Sequence, residues 1–477
     1  MTIAQEAPLS RQKFLAVMAV LTLTEALSSL EHTMVFAAMP AIAREEGLTE
    51  SGWIVTIFLL VQAATAAIGA RLGDMFGRRR VLIVLIGLCM LGSLLSAIAG
   101  NFAIVILGRS LQGASGAILA LCYGIAKKYS PAESAPFWVG VLTGGYAVAS
   151  AAGYLLGGYL SDIGSWRDIF WLGAGYAVFL LPLVWLVIPA DPARGPAGRI
   201  DIVGGLLFAP AIALLLYGLT RGSSNGWLNI NTLLFIAAGV VLTAFWARHE
   251  YRHEQPLLDV RLFTKPKVRL GNICGALAAL SVMQLPLIFM TLMQQPPETG
   301  AGLGQTATMA GVLKLPSNIL AFFAATLGGY ICAKRGGATG ILAGGVLAVL
   351  SWTALIFVRD SLWPTFACML VCAFSSSILL SAVPNILLED APEDRASEVV
   401  GFSSTIRGMA SAIGAQLIIL GLASSQVPGP GGSGVPSPDA YLITILYVIL
   451  CSIAITLLSL RAVRRERAEL PGHRITA

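Results

Sequence analysis

The sequence predicts an all-α membrane protein of fourteen spans, arranged as two six-helix bundles with an extra helix pair between them. Three observations lead there. The 477 residues are 56% hydrophobic and only 12% charged, with a mean hydropathy of +0.79, against roughly 25% charged residues in a soluble globular chain. Fourteen runs approach the ~20 mostly apolar residues that a helix needs to cross the hydrocarbon core. Landmarks of the first half also recur about 260 residues later: Gly69 and Gly77 as Gly328 and Gly336, and Pro131, Gly140 and Gly153 as Pro392, Gly401 and Gly414. Duplicated bundles of this kind place a binding site between them near the membrane midplane. Such a composition excludes a water-soluble enzyme, a disordered chain and a nucleic-acid binder as the whole protein.

The first run, 14–39, exceeds the 7–15 residues of a cleaved signal's apolar region and reads as a permanent span. Runs 51–70, 81–100, 103–126, 136–160 and 169–189 complete the first bundle, 14–189. Runs 200–220 and 231–247 form the inserted pair, 200–247. Runs 268–293, 305–332, 338–358, 362–388, 399–422 and 440–461 form the second bundle, 268–461. No alternation of ~10-residue strands argues for a barrel. All seven cysteines fall inside these runs and read as small apolar packing residues, with no disulfide framework or metal cluster implied. The Gly/Pro/Ser-rich stretch 423–439 reads as a flexible linker.

Orientation follows Lys and Arg. With the N-terminus in the cytoplasm, 23 of the 31 basic residues fall in internal segments and four (Arg44, Arg167, Arg221, Arg359) in external ones. Both termini are then cytoplasmic, and the sequence pI of about 9.0 needs no nucleic-acid partner. Arg461, Arg464, Arg465 and Arg467 anchor the last helix at the inner leaflet.

Ionisable groups at membrane depth are costly, and each is a functional candidate by default. Here they are Glu25, Glu31, His32, Arg109, Lys314 and Arg407. Glu31, Arg109 and Lys314 lie 17, 17 and 18 residues from the inner ends of their runs and so share a level at about 1.5 Å per residue. Glu25 and Arg407 sit lower. Six residues is about 240° round the helical wheel, so Glu25 and Glu31 face different ways. His32 reads either as a packing residue or as a proton relay. Lys314 and Arg407 outnumber the remaining acids locally, which favours a substrate with anionic or polar groups, or exclusion of cations. Lys314 could alternatively snorkel to the outer interface. Gln112, Gln284, Phe374 and Ser375 are further pore-facing candidates, as is Met283 for loosely selective contact.

Several motifs carry a family resemblance. Gly69-Ala-Arg-Leu-Gly73-Asp74-Met-Phe-Gly77-Arg78-Arg79-Arg80 resembles the signature gating loop of the major facilitator superfamily, with the glycines forming a tight turn and Asp74 accepting from a helix N-terminus. Its second copy carries Ala333 in place of Asp74. Leu107-Gly-Arg109-Ser-Leu-Gln112-Gly113 is similar to the superfamily's intramembrane arginine motif, which is associated with proton coupling. Leu30-Glu31-His32-Thr33 through Pro40 resembles the helix 1 pattern of the fourteen-helix drug:proton antiporters, with Glu31 for its Asp and Phe36 for its Asn. Trp166-Arg167-Asp-Ile-Phe170 and Pro256-Leu-Leu-Asp-Val-Arg261-Leu-Phe263 match that family too. Gly153-Tyr154-x-x-Gly157-Gly158 resembles its helix 5 motif, with Tyr154 in place of the proline. That replacement leaves the direction of transport open.

The resemblance implies a major-facilitator-type fold and a proton-coupled secondary transporter in the cytoplasmic membrane of a bacterium. It would export lipophilic or amphipathic compounds, with Glu31 as proton carrier, Arg109 as its charge partner and Glu25 as a second candidate. A transporter dedicated to one metabolite, in either direction and anionic among other choices, is the alternative. No cofactor is expected, and a monomer is. His249-Glu250-Tyr-Arg-His253 also reads as the zinc-hydrolase signature H-E-x-x-H. It falls in a basic internal segment with only Glu254 and Asp259 beside it, so an intramembrane hydrolase is a remote expectation and no metal site is assigned.

Overall fold

A computed structural model describes residues 10–130, 135–190, 202–226, 228–253, 265–389, 396–429 and 434–469. The apolar runs fold as helices because a backbone in lipid must satisfy every N–H and C=O within its own segment. Helix α1 spans Arg11–Glu46, with Ser10 capping its first turn. It outruns the expected 14–39, continuing past Pro40 to a stop at Gly47. Helices α2 (Leu48–Phe76) and α3 (Arg78–Ala97) follow. Helix α4 runs in two pieces, Phe102–Gln112 and Ile118–Tyr129, joined by a 3-10 turn at Gly113–Ala117. A Cβ on Gly116 would run into the Gln62 carbonyl, so the turn lies directly on α2.

Helices α5 (Ala135–Ile163) and α6 (Asp168–Val187) precede the pair α7 (Ile202–Asn225) and α8 (Ile230–Arg252). Helix α9 is broken into Pro266–Leu280 and Leu285–Gln294 around a turn at Val282–Gln284, where Pro286 starts the second piece and denies the ladder an N–H. Helices α10 (Ala307–Arg335), α11 (Gly337–Val358), α12 (Leu362–Glu389), α13 (Ala396–Ala423) and α14 (Pro438–Glu469) complete the chain. Among the described residues, twelve helices are long and apolar enough to cross a membrane, and α5 and α7 are outside that number.

The expected gating turn is corrected by the structure. Gly69 and Gly73 are helical, and the chain reverses at Gly77 alone, with φ 90°. Gly336 turns α10 into α11 in the same way, with φ 83°. Each is a left-handed conformation that costs other residues energy. The expected flexible linker is corrected as well. Strands β1 (Gln426–Pro428) and β2 (Gly434–Pro436) pair antiparallel with Val427 opposite Val435. The strand is held down by Gln295, whose Nε2 donates to the Pro436 carbonyl at 2.8 Å while its Oε1 accepts from the Tyr441 hydroxyl at 2.8 Å. Residues 430–433 lie outside the described residues.

The packing pairs repeat along the chain. Helices α1–α5, α3–α4 and α3–α6 are partners, and so are α9–α13, α11–α12 and α11–α14. Between these sets, α2 packs on α13 and α5 on α10, while α7 and α8 pack on each other and α7 touches α2 and α13. The seam is tight at the face that carries the β-hairpin. A Cβ on Gly158 would meet the Ala307 carbonyl, Thr56 bonds Gln416 at 3.0 Å, and Gln294 reaches the Ala37 carbonyl at 2.9 Å. Asp162 at the end of α5 accepts from the backbone N–H groups of Ala307 (3.1 Å) and Thr308 (2.7 Å), two of the free donors that open helix α10.

Candidate functional site

The deepest polar cluster joins α1, α2, α3 and α4. Glu31 is 2% exposed and Arg109 is fully buried. Glu31 Oε1 accepts from Ser93 Oγ at 2.8 Å and from Gln112 Nε2 at 3.1 Å. Arg109 Nη1 donates to Gln112 Oε1 at 2.8 Å and to the Glu31 backbone carbonyl at 3.2 Å, and its Nε donates to the Ile54 carbonyl at 2.9 Å. The guanidinium lies 4.1 Å from the centroid of Phe58. Among the described residues, Glu31 Oε2 and Arg109 Nη2 have no hydrogen-bond partner. Buried charges ordinarily satisfy all their donors and acceptors, so this pair has one open position on each side.

Arg109, the charge partner expected for Glu31, does lie beside it, with the two charged side chains linked through Gln112 and the Glu31 main chain. The reason is geometric, since Glu31 points toward α3 and α6, where Gly173 leaves room beside its carboxylate. Gln112, expected against substrate, is the bridge of this cluster. Ser93 was missed. A serine in the otherwise apolar run of α3 was its only signal in the sequence.

Glu25 is buried elsewhere on α1, 2% exposed, with one oxygen unpartnered, and so lies apart from the Glu31 cluster. His32 is half-buried in a row of rings, tilted against Phe36 at 4.8 Å and against Phe58 at 5.5 Å. Phe36 stacks on Tyr154 at 6.4 Å. Across the seam, Lys314 Nζ lies 5.9 Å from the Tyr154 ring and 5.8 Å from Phe289. Lys314 is 7% exposed and does not snorkel, because Leu285, Phe366 and Met369 pack round it. Arg407 is half-buried on α13 and does not join the cluster. Gln284 ties α9 to α13 through Ser411 Oγ at 3.0 Å. Ser375 is buried and donates to the Cys372 carbonyl of its own helix at 2.8 Å, while Phe374 is half-buried.

In the helix 5 motif, Gly153 abuts Thr33 and Gly157 abuts the Met34 backbone on α1, while Gly158 faces α10. Helix α5 runs unbroken through Tyr154. In the gating segment, Gly73 fits against Leu121, Arg78 Nη1 donates to the Gly124 carbonyl at 2.6 Å, and Arg79 lies 5.9 Å from the Trp185 ring. The surroundings of Gly69 and the Asp74 side chain lie outside the described residues, as do residues 256–263. Trp166 Nε1 and Arg167 Nη1 both donate to Glu45 at 2.6 Å, clamping α6 to the end of α1. The zinc-like motif ends α8, with Glu250 buried and the His249 and His253 rings 5.3 Å apart. Among the described residues no three His, Cys, Asp or Glu side chains are placed to hold a metal.

This arrangement, two packed helix sets with a buried arginine cluster in the first, has known counterparts. The family model described as Major Facilitator Superfamily matches residues 21–415. The chain belongs to the major facilitator superfamily. As a superfamily member it is a transporter and not an enzyme, which removes the hydrolase expectation.

Its relatives include a multidrug resistance protein, Stp, of Mycobacterium tuberculosis, 27% identical over 397 residues and covering 81% of this chain and 71% of that one. Another is the tetracenomycin C resistance and export protein of Streptomyces glaucescens, 25% identical, covering 83% and 73%. Among solved structures, the xylose transporter XylE from E. coli aligns with a TM-score of 0.58 at 12% identity, covering 92% of this chain and 98% of that one. A bacterial homolog of the human lysosomal transporter Spinster, captured inward-facing, aligns at 0.63 with 15% identity over 95% and 96%. These last two share the fold of this superfamily member.

Proposed function

We propose that the protein is a proton-coupled exporter of lipophilic or amphipathic compounds, working by alternating access in the cytoplasmic membrane of a bacterium. All fourteen helices cross, both termini face the cytoplasm, and the β-hairpin faces outside, as the distribution of Lys and Arg requires. The two six-helix bundles, 14–189 and 268–461, rock about the α2–α13 and α5–α10 seams. The roles of the relatives, multidrug resistance and tetracenomycin C resistance and export, support the substrate class and direction.

One observation carries the coupling. A carboxylate and a guanidinium sit buried at membrane depth, bridged by one amide, each with a polar atom left unpartnered. Such a carboxyl can take up or release a proton at little geometric cost, because Ser93 and Gln112 hold one oxygen while the other remains free. Protonation changes what Gln112 and Arg109 must balance, and that change reaches α2 through the Ile54 carbonyl. Glu31, Arg109 and Glu25 are therefore assigned to proton coupling, and the row from His32 to Lys314 to substrate contact. The test is uptake of a lipophilic dye into everted vesicles under an imposed pH gradient. Glu31→Gln is expected to insert normally and to lose gradient-driven uptake. Undiminished uptake in that variant would overturn the assignment.

A further inference from the structure

Lys314 is the one membrane-depth cation of the second half that is nine-tenths buried, and among the described residues its titratable neighbour is the Cys372 thiol, with no carboxylate beside it. Its ammonium faces two ring faces, Tyr154 at 5.9 Å and Phe289 at 5.8 Å. Those distances are at the outer limit of a cation–π contact and replace little of an ammonium's hydration. The rest of its surroundings are mostly apolar, Leu285, Leu313, Phe366 and Met369, with Ser317 the one hydroxyl among them, its Oγ committed to the Lys314 carbonyl at 2.7 Å. A buried charge with no carboxylate to neutralise it is a functional signal, and a full counter-charge here has to come from outside the chain.

The neighbourhood says what else that partner carries. From Lys314 a continuous row of flat faces runs across the seam: Tyr154, then Phe36 at 6.4 Å, His32 at 4.8 Å and Phe58 at 5.5 Å, ending under Arg109. Rings at these spacings attract another flat ring, and the row is bracketed by cations at both ends. Glu31 faces away from it, toward Ser93, so no carboxylate is turned to a cationic ligand. The position of Tyr154, where the resembling families carry a proline, is what brings the row to Lys314.

Resting on the transport reading above, we infer that the substrate is a planar aromatic compound bearing an anionic group, such as a carboxylate or phenolate, and that Lys314 receives that group while Tyr154 and Phe289 flank the ring. The interaction is a charge-assisted hydrogen bond from Nζ in a dry site. Tyr154 and Lys314 belong to opposite sides of the α5–α10 seam, so the ligand is gripped by both halves at once.

The test is equilibrium binding of radiolabelled 2-naphthoate and 2-naphthylmethylammonium to the purified full-length protein in detergent. The wild type is expected to bind the carboxylate at least about tenfold tighter than the ammonium, and Lys314→Gln to lose that preference, while Lys314→Arg keeps most of it. Retention by the arginine variant guards against simple misfolding. Equal binding of both probes, preference for the ammonium, no binding of either, or a Lys314→Gln variant that still selects the carboxylate would each overturn the inference. The two readings fail separately. Lys314-dependent selectivity without gradient-driven flux would sink only the transport reading, and Glu31-dependent flux without selectivity would sink only this one.

Discussion

Arg109 grips Glu31 by its main chain: Nη1 donates to the Glu31 carbonyl oxygen at 3.2 Å, and only Gln112 connects the guanidinium to the carboxylate. The hydrogen-bond path from Arg109 to the Glu31 carboxylate therefore runs through one amide group, while the charge itself also acts across space. A proton on Glu31 would change what Gln112 can donate to, and so change how Arg109 is held.

Gln112→Leu keeps the volume and removes the bridge. It leaves Ser93 as the remaining partner of Glu31 and takes an acceptor from Arg109, a loss of about 1–3 kcal/mol. A lower melting temperature and at least about tenfold slower gradient-driven flux are expected. Unaltered flux in a folded variant would show that the bridge carries no coupling.

Asp162 closes the hairpin face by accepting from the first free N–H groups of α10, where a negative charge also meets the positive end of the helix. Asp162→Ala is expected to favour opening on that side by about 1 kcal/mol, or roughly fivefold. An Ala37→Cys reporter, fully buried beneath that face, should react faster with a maleimide in the Asp162→Ala background. An unchanged rate would remove the clasp.

Gly158 and Gly157 sit one residue apart yet face different halves. A Cβ on Gly158 meets the Ala307 carbonyl across the seam, whereas one on Gly157 meets Met34 within the same half. Gly158→Val is expected to hold the seam open at the hairpin face, and Gly157→Val to lower stability without raising labelling of Ala37→Cys. Identical labelling of the two variants would contradict that division.

Gly77 and Gly336 bear equivalent left-handed turns, φ 90° and 83°. Each substitution to Ala is expected to cost about 1–2 kcal/mol, read as a lower midpoint of thermal unfolding. A neutral Gly77→Ala would mean that the turn relaxes.

Much of this architecture is legible in the sequence because membrane helices announce themselves by length and apolarity, and because a duplicated bundle repeats its small residues. Gly328 and Gly336 echo Gly69 and Gly77 for that reason. Depth arithmetic sets Arg109 level with Glu31, and Arg109 does reach the Glu31 main chain, although the 3-10 turn at Gly113–Ala117 departs from a uniform rise. Azimuth is not fixed by spacing alone. Which face of α1 carries Glu31 depends on how α1 leans on α3 and α6, so neither the Ser93 contact nor the indirect link to Arg109 could be read. The Lys314–Tyr154 approach joins residues 160 apart across the seam, and no local pattern encodes it. The β-hairpin was hidden because its Pro- and Gly-rich composition looks like a linker, while its anchor is the distant Gln295.

The most direct measurement is proton exchange on substrate binding by the detergent-purified protein in weakly buffered solution. If Glu31 is the coupling carboxyl, the wild type should exchange close to one proton with the solution per bound substrate, and Glu31→Gln should bind substrate and exchange none. Equal exchange by both proteins would contradict the account.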